Sequence, residues 1–267
     1  MFCKTNWPDA RRRPRAYFKL PRSRHPAPSR KPTMPGYATK TQRVAIAGVA
    51  DLTIRSLLDR EQFADPLGEA ERLGISSAAW PIFGLLWPSG AQLAACLALR
   101  PVRAAERILE VGCGLALASL VGHRRGADIT ASDCHPLAEA FLRHNLALNH
   151  LAPMKYRQGL WSPVAPAVAQ PGGHAVVSGR FDLIIGSDVL YERDSEGALA
   201  AFIGRHAQAC AEVWIVDPDR GNRPAFNRRM AEQGFSLDQA RLDVPADTPM
   251  LTYKGRWMRF RRPSIAP

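Results

Sequence analysis

"RILEVGCGLALASL", residues 107–120, decides the fold. Arg107–Val111 is an apolar run of the length of a buried parallel strand. The turn Gly112-Cys113-Gly114 and a helix over Leu115–His123 follow it. A strand, a glycine turn and a helix in that order aim backbone amides at one point, a common cradle for a nucleotide-like cofactor. The turn continues Leu115-Ala116-Leu117. A dinucleotide fingerprint has its third glycine where Leu117 stands, so the glycines alone do not fix the cofactor.

Outward from this unit, β and α patterns alternate. Asp128–Ser132 reads as a second strand, Pro136–Asn149 as a helix and Lys155–Gln158 as a short third strand. After a Pro/Gly/Ala-rich loop over 162–179, "RFDLIIGSDVLY" (180–191) is a fourth strand, apolar on both faces. Gly197–Ala209 is a helix, "EVWIVDP" (212–218) a fifth strand and Pro224–Gly234 another helix. "SLDQARLDV" (236–244) and "MLTYKGRWMRF" (250–260) close the chain as two strands with no helix between them. Upstream, Ile46–Phe63 reads as an irregular strand and a short helix, and Asp65–Pro81 as loop. Residues 82–101 end in a helix that Ser89 can cap and Pro101 closes. The expectation is an α/β fold in one domain. It has a doubly wound, Rossmann-like, seven-stranded and mostly parallel sheet with an antiparallel C-terminal hairpin strand.

The chain has 267 residues, 46% of them apolar, enough for one large α/β domain. No window approaches eighteen uninterrupted apolar residues, so no membrane span is expected. The net charge is +12, but twelve of the 36 Lys/Arg and one of the 24 Asp/Glu fall in residues 1–43. Nearly all the surplus therefore sits there, and the rest of the chain has no basic face written into its composition, so no nucleic-acid partner is expected. Residues 1–43 form a basic Pro/Arg-rich extension expected to be disordered, and 44–267 the folded domain. The extension is open to three readings: a nucleic-acid or membrane-surface arm, a targeting peptide, or an untranslated leader ahead of a true start at Met34. The last is favoured. Cys3, Cys96, Cys113, Cys134 and Cys210 are scattered without zinc-ligand spacing, as expected of a metal-free protein in a reducing cytoplasm.

Two carboxylates narrow the cofactor. Asp133 ends the second strand, where it can accept both hydroxyls of a ribose, in NAD and S-adenosylmethionine alike. Glu110 stands two residues before the first glycine, at a buried strand end that is costly for a carboxylate. A pyrophosphate would be repelled by it, whereas the ammonium of a methionine moiety would be attracted. The helix N-terminus after Gly114 can help with the methionine carboxylate. The competing reading of Glu110 is a surface salt-bridge partner.

With "ILEVGCGLAL", "ITASD", the Asn145 helix and "FDLIIGSDVLY" in this order, the chain resembles class I S-adenosylmethionine-dependent methyltransferases with a seven-stranded sheet. "LLWPSGAQLA" upstream and "GLW" at 159–161 make it similar to the non-SET protein lysine methyltransferases. Members of that group act on the valosin-containing chaperone and the electron-transfer flavoprotein β-subunit. The resemblance covers roughly residues 80–235. It implies that Trp87 packs beside the cofactor, with Pro88 and Ser89 flanking the helix. Glu110, Gly112 and Gly114 would hold the methionine end and Asp133 the ribose. Leu160 and Trp161 would flank the adenine, and Ser187 would line the pocket. Asp188 and Tyr191 would form an Asp-x-x-Tyr element at the reactive end. The third motif glycine is Ala116, one extra methyl where helix meets strand, and the 162–179 loop is not a family feature. Asp188 could otherwise cap the following helix, and His135 is a turn residue near the ribose rather than a base.

Rival functions lack their residues. Adenine amino-group methylation uses an Asn/Asp-Pro-Pro-aromatic run where this chain has "SDVLY", and "DPDR" (217–220) lacks the second proline. No Pro-Cys pair exists for cytosine methylation. An NAD-dependent dehydrogenase is disfavoured by Leu117 and Glu110. The expected enzyme methylates a protein lysine. A small-molecule N- or O-methyltransferase, or an inactive binding module, is the alternative.

Overall fold

The computed structural model describes residues 37–161, 175–191, 194, 196–246, 248 and 250–263. The expectations for residues 1–36 and for the 162–174 part of the Pro/Gly loop lie outside them. The chain opens with a hairpin, β1 (Thr39–Val44) paired antiparallel with β2 (Leu52–Leu57). No helix follows β2 where one was expected within Ile46–Phe63. Leu52, Ile54 and Leu57 of β2 are fully buried, and Thr39, Thr41 and Val44 give β1 the β-branched side chains that favour a pleated strand. Gly48, at φ +82°, serves the turn between them. β1 straddles the 43/44 boundary drawn from charge.

α1 (Glu69–Arg72) and two short 3-10 turns, Ser77–Ala79 and Ile82–Gly84, lead into α2 (Pro88–Leu99). Trp87, not Ser89, takes the cap position of α2. Pro88 fills the first helical place, where a missing N–H costs nothing. Ser89 is buried at the second position of the helix, and its hydroxyl donates to Tyr253 Oη at 3.3 Å. The helix ends before Arg100-Pro101, as proline demands.

The seven-stranded sheet is built from β3 (Arg107–Val111), β4 (Asp128–Asp133), β5 (Lys155–Gln158), β6 (Phe181–Ser187), β7 (Ala207–Asp217), β8 (Ser236–Val244) and β9 (Tyr253–Arg261). Their order is β5-β4-β3-β6-β7-β9-β8. The first five in that order are parallel; β9 runs antiparallel to β7, and β8 to β9. Helices α3 (Leu117–Arg124), α4 (Ala138–Leu148), α5 (Ala198–His206) and α6 (Arg223–Glu232) connect them. α5 stops three residues before the expected end because β7 already begins at Ala207, with an irregular register against β6 between Phe181 and Leu183.

Side-chain alternation along the strands divides the core between the two faces. Ile108, Leu183 and Ile185 pack with the hairpin, α2, α3 and α4. Leu109, Val111 and Ile184 pack with α5, α6 and the inward side of β9. The same parity sends Glu110 to the α3 face.

The hairpin is joined to α4 by two asparagine amides one turn apart. Asn145 accepts from Arg55 N–H (2.8 Å) and donates to Arg55 C=O (3.3 Å). Asn149 does the same for Thr53, at 2.9 and 2.8 Å. Together they imitate a neighbouring strand along the free edge of β2.

Candidate active site

A cavity of about 420 Å3 lies at the carboxyl ends of β3, β4 and β6, where β3 has a neighbour on either side and the connections part in opposite directions. All ten residues singled out from the sequence line it: Trp87, Glu110, Gly112, Gly114, Asp133 and Leu160, together with Trp161, Ser187, Asp188 and Tyr191.

The glycine turn makes room for a ligand. Gly112 and Gly114 sit at φ +57° and +51°. A Cβ on Gly112 would lie 2.8 Å from Val189 Cγ1, and on Gly114 2.9 Å from the Phe83 carbonyl oxygen. Ala116 is also left-handed, at φ 58°, and fully buried. The family glycine at this position therefore serves the backbone, which alanine enters at a cost, rather than relieving contact between helix and strand.

Glu110 is 2% exposed and takes no ion-pair partner among the described residues, which removes the surface salt-bridge reading. Its Oε2 accepts from the Ser119 N–H at 2.8 Å and from the Ser119 hydroxyl. One amide of the α3 N-terminus is thereby taken by Glu110 itself. Burial pushes the Glu110 carboxyl up to about 7 against these hydrogen bonds, and Asp133 adds to the rise. Asp133 accepts from the Gly114 N–H (2.8 Å) and the His135 N–H (2.9 Å), bracing the glycine turn. Burial raises it as well.

At the opposite end, Asp188 stands at φ 58° with its N–H donating to Val216 C=O at 3.0 Å. Its carboxylate pairs with Arg220. It caps no helix; Asp194 caps α5, accepting from Ala198 N–H (2.7 Å) and Leu199 N–H (3.1 Å). Tyr191 is 39% exposed, at the mouth. Trp87 is fixed by its indole N–H donating to Ile82 C=O at 2.9 Å.

A lysine methyltransferase family model matches residues 82–230, more than half of the chain. The chain belongs to this family. It is an S-adenosylmethionine-dependent class I methyltransferase. Similar solved structures include a methyltransferase from Pyrococcus furiosus (18% identity over 63% of this chain and 80% of that one, TM-score 0.48). Another is the magnesium protoporphyrin IX methyltransferase of Synechocystis PCC 6803 with bound SAM (15%, 65% and 78%, TM-score 0.48). A third is the ribosomal protein L11 methylase of Lactobacillus delbrueckii subsp. bulgaricus (16%, 65% and 77%, TM-score 0.45). No curated protein matches the chain in sequence.

The cavity suits S-adenosylmethionine. Its volume is that of a small-molecule site, its floor is a glycine cradle that a Cβ would obstruct, and acidic groups stand at Glu110 and Asp133.

Residues that the sequence did not single out also line or flank the cavity. Leu73, Ile75 and Ala79, from the segment read as a loop, line the cavity as an apolar wall together with Ile82 and Leu85. Phe83 stacks on His135, with ring centroids 3.7 Å apart and planes at 12°. Burial depresses the His135 imidazole to about 4, so it is neutral at physiological pH. Arg220 lines the cavity beside Asp188. Its signal was present in "DPDR" at the carboxyl end of a parallel strand next to β6, where ligands bind.

Proposed function

We propose that this methyltransferase N-methylates a lysine side chain of a protein. The observation that carries the reading is the open reactive end. Asp188, Arg220 and exposed Tyr191 bring the cavity to the molecular surface beside an apolar wall suited to lysine methylenes. The family's description supports the same acceptor. The small-molecule alternative uses the same cavity without this surface approach.

When bound, S-adenosylmethionine supplies an electrophilic methyl group on a sulfonium. Glu110, Gly112 and Gly114 hold the methionine end, and Asp133 the ribose, from the carboxyl end of β4 where it lines the cavity. Leu160, Trp161, Trp87 and Ser187 complete the walls. Asp188 and Tyr191 orient the acceptor, so positioning supplies most of the acceleration. A lysine ammonium must first lose a proton, at a cost of about 4–5 kcal/mol at pH 7. The apolar wall disfavours the charged amine and lowers that cost. His135 is packed beside the ribose-binding carboxylate and serves as no base; the proton leaves through the mouth at Tyr191.

The proposed location is the cytoplasm; among the described residues Cys96, Cys113, Cys134 and Cys210 form no disulfide. No single described helix is long and apolar enough to cross a membrane. Residues 1–36 are proposed as an extension to the catalytic domain, whose described part includes β1.

The test is transfer of a radiolabelled methyl group from S-adenosylmethionine into a lysate separated by molecular size, with Asp188→Asn as control. Label in protein that hydrolyses to methyl-lysine supports the reading. Label confined to small molecules overturns the lysine acceptor.

A further inference from the structure

The sheet has a second concave end. At the amino ends of β3, β6 and β7, opposite the cofactor cavity, lies a cleft of about 650 Å3. Five arginines line it: Arg100, Arg103, Arg259, Arg261 and Arg262. They face three acids, Glu106, Asp182 and Glu212, which leaves two uncompensated positive charges.

The acids are already engaged. Glu106 takes both terminal nitrogens of buried Arg100, Oε1 at 2.6 Å. Asp182 accepts the Arg107 N–H at 2.9 Å. Glu212 pairs with Arg259 and lies 3.8 Å from Arg100. Arg262 spends its donors on the carbonyls of Ala207, Gln208 and Ala209. Arg103 reaches Glu106 only at 3.8 Å and Arg261 reaches Glu212 only at 3.6 Å, both beyond hydrogen-bond distance. Their side chains are 66% and 49% exposed, and neither makes a hydrogen bond among the described residues. Burial lowers the Arg259 guanidinium from its ordinary value, and Arg261, Arg100 and Arg103 lower it further by repulsion. Each guanidinium carries five N–H donors in a planar fork that fits phosphate oxygens in pairs.

We infer that this cleft binds a phosphate-bearing ligand, with Arg103 and Arg261 meeting the phosphate oxygens from two sides and Arg259 behind them. A dianionic group matches the surplus of two charges. Its oxygens can bridge the α2–β3 connection, which carries Arg103, and the end of β9, which carries Arg261. The site is separate from the cofactor cavity and does not depend on the methyl acceptor.

The experiment titrates the full chain, with S-adenosylhomocysteine present to fill the cofactor cavity, by calorimetry against pyrophosphate and against uridine diphosphate at constant ionic strength. Sodium chloride is the control. Expected are saturable binding of pyrophosphate and at least a tenfold loss in Arg103→Ala/Arg261→Ala. Both positions are exposed, and circular dichroism checks the fold of the variant. Arg103→Lys/Arg261→Lys keeps the charge and loses the fork, so an intermediate affinity is expected. Tighter binding of uridine diphosphate assigns a nucleotide source and equal binding the phosphate group alone; either supports the site. Absence of pyrophosphate binding, or equal binding by the double alanine variant, overturns it.

Discussion

Glu110 concentrates the conflict between folding and binding at one side chain. Its carboxyl titrates near 7 rather than in the ordinary carboxylate range because burial outweighs the two bonds from Ser119. The folded state therefore holds a proton that the unfolded chain has released between about pH 4.5 and 7. The stability this proton gives is full below that window and lost as pH rises through it, on the order of 3 kcal/mol in all. Glu110→Gln removes the buried charge, so it should be as stable as the wild type at pH 5 and more stable at pH 8, read by urea unfolding. The same variant should bind S-adenosylhomocysteine at least tenfold more weakly at pH 8 and lose the wild type's gain in affinity between pH 6 and 8. Unchanged binding would remove Glu110 from the methionine end. Two neighbouring positions separate space from backbone. Gly114→Ala places a Cβ against the Phe83 carbonyl at positive φ and should cost more than about 2 kcal/mol. Ala116→Gly relieves about 1–2 kcal/mol of left-handed strain but loses a buried methyl worth about 0.8 kcal/mol and adds glycine's entropy. It should shift stability by less than about 1 kcal/mol in thermal unfolding.

At the scale of elements, the β-α alternation from Arg107 onward was legible because β3, β6 and the second half of β7 are largely apolar runs bounded by glycine, proline or charge. β3 and β8 start and stop at the residues where their patterns change. The hairpin was not legible. Its first strand, "TKTQRV", carries two of the basic residues that mark the extension, and charge outweighed its β-branched periodicity. Nor does a sequence show that Asn145 and Asn149 complete β2, since the partners are some 90 residues apart. Asn145 is fully buried, so Asn145→Ala strands the Arg55 N–H and C=O together. Each orphan costs about 1–3 kcal/mol, and a loss of about 2–4 kcal/mol in chemical unfolding is expected. Asn149→Ala, at a half-buried position that water can reach, should cost less. Equal, small losses at both would mean that the amides do not hold the hairpin.

The whole molecule separates its two charged regions by the direction of the sheet. Parallel strands carry the glycine turn, Asp133 and Asp188 to one end, and that end was legible because each of these residues follows a strand whose direction is implied by the alternation. The arginine cleft was not, because its members come from residues 100–103 and 259–262 and meet only through the antiparallel pairing of β7 with β9, which sets Glu212 opposite Arg261. The apolar wall over 73–85 escaped for a related reason: loops follow no period, and only packing against the cavity gives those residues a shared face. This arrangement has a consequence for ligand binding. The cavity is enclosed jointly by the turns after β3, β4 and β6 and by that wall, so a ligand that fills it contacts several separate parts of the chain at once. A ligand that binds only the native state stabilises it by about 2.7 kcal/mol at a hundredfold excess over Kd. S-adenosylhomocysteine should therefore raise the wild-type Tm, and Gly114→Ala should lose most of that rise. With Asp188 at the acceptor end, as proposed, Asp188→Asn should keep the full rise while methyl transfer falls about a hundredfold. Transfer at the wild-type rate by Asp188→Asn would place the reactive end elsewhere in the cavity, and loss of the thermal rise in that variant would make Asp188 a cofactor residue instead.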